Sequence, residues 1–264
     1  GKTYTAYKVA EALGRELVDV NCGTIVTKED FIEKVMIDRI CGITRKIVLL
    51  DEAQKLSYEV CTILLTLLNP NAKNVNYITY NGVDVEWDLN KVCVIFATTD
   101  AYKLPRALVN RCTEIYFHLY SNEELFNILK SYVGNIKIGV GLKKELAYAC
   151  RGRARDAYIL STYINRYCDM YGVNVFGVEG WQEVKGVMGL YPYGLKSQEV
   201  ELLKVVKSGF PISLNGIAMK MGLNTFNIED EIEPRVRELG FLESGTRGRV
   251  LTDIGRKYLE TCEN

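Results

Sequence analysis

Residues 46–57 read KIVLLDEAQKLS, a continuous apolar run that stops on two carboxylates, Asp51 and Glu52. Such a run suits a strand buried on both faces, as in a parallel sheet lying under helices. Ser57 is placed to cap the helix that follows, YEVCTILLTLLN. At a nucleotide site the first carboxylate orients Mg²⁺ and its water shell, and the second polarises an attacking water. A solvated acid pair at a strand end is as common in any α/β protein, so the decision needs a second motif.

That motif opens the chain, in GKTYTAYKVAEALG. Gly1, Lys2 and Thr3 match the last three positions of the phosphate-binding loop G-x-x-x-x-G-K-[ST]. The stretch behind them reads as its helix: Ala6, Val9, Ala10 and Leu13 recur at helical spacing, and Gly14 stands where a C-cap glycine belongs. The signature includes a preceding strand and glycine-rich turn, so the reading expects further chain upstream. Three residues recur by chance in many sequences. They gain weight because Asp51 and Glu52 follow one strand–helix–strand interval later.

Composition narrows the remaining classes. With 264 residues the chain is long for one core, and two or three domains are expected. Basic and acidic residues are equal at 33 each, which gives no global field for nucleic acid and makes any DNA contact local. The eight cysteines, Cys22, Cys41, Cys61, Cys93, Cys112, Cys150, Cys168 and Cys262, form no C-x-x-C pair, and His118 is the only histidine. Neither a zinc site nor a disulfide framework fits that spacing. Reduced thiols and a cytoplasmic setting are the reading. No apolar run reaches membrane-spanning length.

Further along, TKEDFIEKVMIDRICG predicts a helix with Thr27 as N-cap and Gly42 closing it. VNYITYNGVDVEW alternates around Asn81-Gly82, the strongest short hairpin signal. KVCVIFATTD predicts another buried strand ending in Thr98 and Thr99, LPRALVNRC a short helix, and EIYFHLY a last strand. Strand–helix alternation over residues 1–120 defines a three-layer α/β domain. Residues 121–190 read as a small helical domain, opened by the capping box of Ser121 and Glu124. GLYPYG has the composition of a linker. Residues 191–264 run helix, helix, helix, hairpin, the order of a winged helix, with Pro234 kinking the third helix.

Taken in order, these motifs resemble the AAA+ ATPases. Walker A is cut at Lys2 and Thr3, Walker B lies in LLDEAQ, and a first sensor lies in FATTD. Arg111 matches the arginine finger, and Arg155 in RGRARDA the second sensor. FATTDAYKLPRALVNRC is similar to bacterial clamp loaders, which end in a helical collar. The inserted Asn81-Gly82 hairpin and the terminal winged helix instead resemble the RuvB-type Holliday junction motors. NIEDEIEPRVRELGFLESGTRGRVLTDIG follows that family's I-E-D-x-x-E-P, G-F and R-G-R pattern. Three departures stand out: Gln54 replaces the usual His, ALVNRC lacks the first arginine of P-L-R-D-R, and the hairpin is short.

The resemblance implies an ATP-driven branch-migration motor working as a ring, a hexamer, on branched DNA. The alternatives are a clamp-loader-like ATPase and a winged-helix DNA-binding module with a vestigial ATPase. ATP would be held by Gly1, Lys2, Thr3 and Tyr4, with Arg155 coupling nucleotide state to the small domain. Mg²⁺ would be held by Thr3 and Asp51. Glu52 would orient water, Thr98 and Thr99 would sense the γ-phosphate, and Arg111 would reach a neighbour's site. A RuvA-like partner would dock on the hairpin. In the winged helix acids slightly outnumber bases, and the third helix opens on Glu229, Asp230, Glu231 and Glu233. The expected DNA contact is therefore phosphate binding by Arg247 and Arg249 in the wing, with no base reading by that helix.

Overall fold

A computed structural model describes residues 1–40, 45–207 and 210–263. Gly42, expected to close the second helix, and Cys41 lie outside the described residues. The chain forms two compact units, Gly1–Phe117 and His118–Asn264.

The first unit is built on a parallel sheet in the order β1 (Glu16–Asn21), β2 (Lys46–Asp51), β5 (Val92–Ala97). Its register sets Asn21 level with Asp51 and Asp51 level with Ala97, so the three strands end together. Ile47, Val48, Leu49 and Leu50 are fully buried, as the apolar run required. At about 1.5–3 kcal/mol for each buried side chain, this strand contributes strongly to the core of the first unit.

Alternation divides the sheet into two faces. Val18, Val20, Val48 and Leu50 meet a core containing Phe31, Met36, Leu64 and Trp87. Leu17, Leu49, Ile95 and Ala97 meet α1 (Lys2–Ala12) through Ala6. Of the four apolar positions expected to face the core, only Ala6 and Ala10 are buried, while Val9 and Leu13 are exposed. The small alanines let α1 sit close to the sheet. Gly14, in the left-handed conformation, closes α1 with its N–H on the Glu11 carbonyl, 3.1 Å.

Capping predictions hold locally. The Thr27 side chain accepts from Asp30 N–H and Asp30 answers the Thr27 backbone, starting α2 (Lys28–Phe31), which runs into a π-helical stretch, Ile32–Ile40. The Ser57 hydroxyl accepts from Val60 N–H at 3.3 Å, at the head of α3 (Tyr58–Leu67). β3 (Val75–Tyr80) and β4 (Val83–Asp88) form the expected hairpin, with Asn81 and Gly82 both at positive φ. Such a two-residue turn matches the strand twist. α4 (Arg106–Val109) follows β5.

EIYFHLY is not a strand. Residues 113–120 take no regular structure, and Ile115, Tyr116, Phe117 and Leu119 are exposed. A strand exists only through a hydrogen-bonded neighbour, and none of the described strands pairs with this segment.

The second unit contains two cores. In residues 121–190, α5 (Asn122–Val133), α6 (Lys143–Ala149), α7 (Ala154–Tyr171) and α8 (Val178–Val187) enclose Leu125, Leu129, Leu146, Leu160, Ile164 and Trp181. Two-residue strands, β6 (Lys137–Ile138) and β7 (Val175–Phe176), join them. The Ser121–Glu124 capping box forms as expected.

In residues 195–263, α9 (Ser197–Val206), α10 (Leu214–Met221) and a third helix pack over Val200, Leu203, Ile217, Val236 and Leu259. The third helix is π-helical over Asn227–Ile232 and continues as α11 (Glu233–Glu238), with Pro234 in the first turn of α11. β8 (Leu242–Gly245) and β9 (Gly248–Leu251) form the wing, and α12 (Asp253–Glu263) closes the domain.

GLYPYG does not behave as a linker. Gly194 is buried at positive φ, and a Cβ there would stand 2.4 Å from the Tyr148 carbonyl oxygen. Arg151 grips buried Glu199 with both guanidinium nitrogens, at 2.8 and 2.5 Å. Buried Arg235 donates to the carbonyls of Tyr148 and Tyr193. The two cores of this unit are therefore joined by a packed, ion-paired seam.

Candidate functional site

The level strand ends bring three predicted residues together. Thr3, in the first turn of α1, donates from Oγ1 to Asp51 Oδ2 at 2.9 Å. Asp51 Oδ1 accepts the Glu52 N–H, also at 2.9 Å. Glu52 takes a left-handed backbone (φ 54°, ψ 43°), unusual for a residue with a Cβ and costing about 1–3 kcal/mol. Fully buried Ala53 pins the turn that holds it there. The Glu52 carboxylate is ion-paired with Lys55 at the other end of this one-turn helix, Ala53–Lys55.

At the end of β5, Thr98 donates from Oγ1 to Gln54 Oε1 at 2.7 Å and accepts the Asp100 N–H at 3.0 Å. Thr99 is exposed, with its hydroxyl 3.4 Å from Asp100 Oδ2. Lys2 is half-buried and makes no ion pair among the described residues. Tyr4 is exposed, its ring carrying the Lys8 ammonium 5.9 Å from the centroid.

A triphosphate with Mg²⁺ fits this donor set. A hydroxyl and a carboxylate in contact supply two hard oxygen ligands, which suits an ion that keeps several waters. The N-terminus of α1, with Gly1 and Lys2, presents positive charge where phosphate would lie.

Arg111 stands elsewhere in the same unit. Its guanidinium donates to the Leu65 carbonyl and to Asn69 Oδ1 (3.2 Å), satisfying acceptors at the C-terminal end of α3. Arg155, the second residue of α7, belongs to the second unit and is exposed.

The wing separates its two arginines. Arg247 is exposed in the turn. Arg249 donates from Nε to Glu233 Oε2 at 3.0 Å and pairs with Glu229 at 3.4 Å, leaving 14 % of its side chain exposed. Glu233 is fully buried and also accepts from Ser244 at 3.1 Å. Arg249 is thus a poor candidate for phosphate binding, because its charge is already committed to a buried carboxylate. Likewise Glu233 is not the exposed, phosphate-repelling acid expected of it.

Sequence reasoning gave no role to Lys55, noted Gln54 only as a departure from the usual His, and took Glu233 for an exposed acid. Lys55 was marked only by lying three residues past Glu52. Glu233 pairs across 16 positions to the wing, a distance no local pattern encodes.

The family model for ATPases associated with various cellular activities matches residues 1–119, and that for the RuvB C-terminal winged helix domain matches residues 192–260. The chain thus carries an AAA domain followed by a RuvB-type winged helix domain.

Among relatives, the RuvB subunit of the Holliday junction branch migration complex from Fervidobacterium nodosum is 25% identical over 98% of this chain and 76% of its own length. Those of Synechococcus (26%) and Koribacter versatilis (28%) align with 66% of this chain. The chain spans about half the length of these two, 53% and 50%. The solved Thermotoga maritima RuvB branch migration motor superposes with a TM-score of 0.75 over 98% of this chain and 83% of that one, at 20% identity. That likeness bears on fold.

Proposed function

We propose that the chain is the motor subunit of an ATP-driven machine that moves branched DNA, a Holliday junction in particular, as an oligomeric ring. The contact of Thr3 with Asp51 carries this reading, because it joins the two halves of a Walker site at hydrogen-bond distance. Lys2 would meet the β- and γ-phosphates, and Thr3 and Asp51 would hold Mg²⁺, which would supply neutralisation of charge on the phosphate oxygens. Glu52, freed from Lys55, orients the attacking water. Arg111 acts on the nucleotide of a neighbouring subunit, and Arg155 relays nucleotide state to the second unit. Arg247 contacts the DNA backbone. The hairpin, with Tyr77 and Val83 exposed, offers an edge for a RuvA-like protein, and a hexamer is the ring size the family likeness favours.

Glu52→Gln tests the chemistry. It removes the carboxylate that orients water and leaves the metal ligands in place, so ATP binding should persist while hydrolysis stops. Equal steady-state turnover in variant and parent would overturn the assignment. Movement of a synthetic four-way junction, measured with and without ATP, tests the motor.

A further inference from the structure

Thr98 has one hydroxyl hydrogen, and the structure shows where it goes. It is donated to Gln54 Oε1 at 2.7 Å, while Oγ1 accepts the Asp100 N–H at 3.0 Å. With that hydrogen spent, Thr98 has none for a phosphate oxygen. Thr99 is exposed and only loosely held, so it is the threonine able to turn toward one. The pair, adjacent in sequence, is divided between an inward and an outward role.

Gln54 is half-buried in the turn Ala53–Lys55, whose first residue is fully buried and whose last is ion-paired with Glu52. The bond from Thr98 to Gln54 spans 44 positions and links the β5 end directly to the Glu52 turn through side chains.

We propose that Gln54 is a positioning residue that ties the sensing end of β5 to the turn carrying Glu52. A shift of Thr98 and Thr99 on meeting the γ-phosphate is passed to the Glu52 backbone, and the carboxylate is released from Lys55 in step with it. This inference rests on the ATPase reading above. A glutamine side chain suits such a link, because its carbonyl accepts the threonine hydrogen at neutral charge and holds it at any pH at which the protein is folded.

The test is a double-substitution cycle with Gln54→Leu and Thr98→Val, both close in size to the residues they replace. One hydrogen bond of ordinary strength corresponds to about three- to tenfold in rate. Each variant should lose kcat by about that factor, with KM for ATP unchanged and the double variant no slower than the slower single one. Thr98→Ser, which keeps the hydroxyl, should restore the parental rate. Losses that multiply in the double variant would overturn the proposal.

Amide exchange gives a readout independent of turnover. Without nucleotide, Gln54→Leu should raise exchange at residues 98–100. With a non-hydrolysable ATP analogue, protection at residues 52–55 should rise in the parent and not in Gln54→Leu. Unchanged exchange in both experiments would also overturn it. If the parent protein hydrolyses no ATP, the ATPase reading fails by itself, and exchange at residues 98–100 still decides whether Gln54 anchors the β5 end.

Discussion

Arg247 and Arg249 stand two residues apart on one turn, and their surroundings give them opposite energetics. Removing Arg249 strands the fully buried Glu233 without its main counter-charge. Breaking a buried pair from one side costs about 3–5 kcal/mol, so Arg249→Ala should lower the urea midpoint of unfolding sharply. Arg247→Ala should change stability by no more than about 0.5 kcal/mol. If the wing contacts DNA as proposed, the same variant should bind more weakly across all sequences, with a salt dependence shallower by about one phosphate contact. Unchanged DNA affinity would leave the wing a purely structural element.

Thiols divide in the same manner. Burial, then the charge of Asp51, pushes the Cys22 thiol up to about 12, and burial does the same for Cys150. Both stay protonated near neutrality, so an alkylating reagent at pH 7.5 should modify exposed Cys93 while sparing them. Below pH 9 these thiols are protonated in folded and unfolded chain alike and add no pH dependence. From pH 9 to 12 the unfolded chain ionises first, so their contribution to stability should be lost across that window. Mass mapping of the labelled protein and unfolding at stepped pH check the two statements.

Elements were legible where the signal was local. Ser57, Thr27 and Ser121 marked helix starts, and Asn81-Gly82 a hairpin, because each works through a hydrogen bond or backbone angle within four residues. Ser121→Ala should cost about 1 kcal/mol in thermal or urea unfolding, the usual worth of such a cap. β1 was not anticipated, since Glu16, Asp19 and Asn21 dilute its apolar residues, and only pairing with β2 makes it a strand. α8 and α12 were missed as well. The latter begins where Thr252 Oγ1 accepts the Gly255 N–H at 3.0 Å, a cap readable in principle. EIYFHLY erred in the other direction, because β-propensity alone supplies no partner strand. Of the candidate site, the acids and threonines were legible as motif positions, whereas their bonds to Lys55 and Gln54 depended on how the turn folds back.

At the scale of the assembly, the central question is whether Arg111 serves its own subunit or the next. Within its own subunit it holds the end of α3 through Leu65 and Asn69. If it also completes a neighbour's site, Arg111→Ala and Lys2→Ala subunits carry defects on opposite sides of one interface. Mixing them should then restore ATP turnover, since an arginine finger carries about 10³–10⁵ in rate. Mixtures no more active than either variant alone would confine Arg111 to its structural role.

The seam of Arg151, Glu199 and Gly194 also limits how this sequence can drift. Either charge replaced singly leaves the other buried and unmatched, and any side chain at residue 194 collides with the Tyr148 carbonyl. The viable path to a different seam passes through simultaneous exchange of both charges for apolar residues, with the glycine retained. Descendants of this chain should therefore inherit the two charges together or lose them together, and keep the glycine in either case.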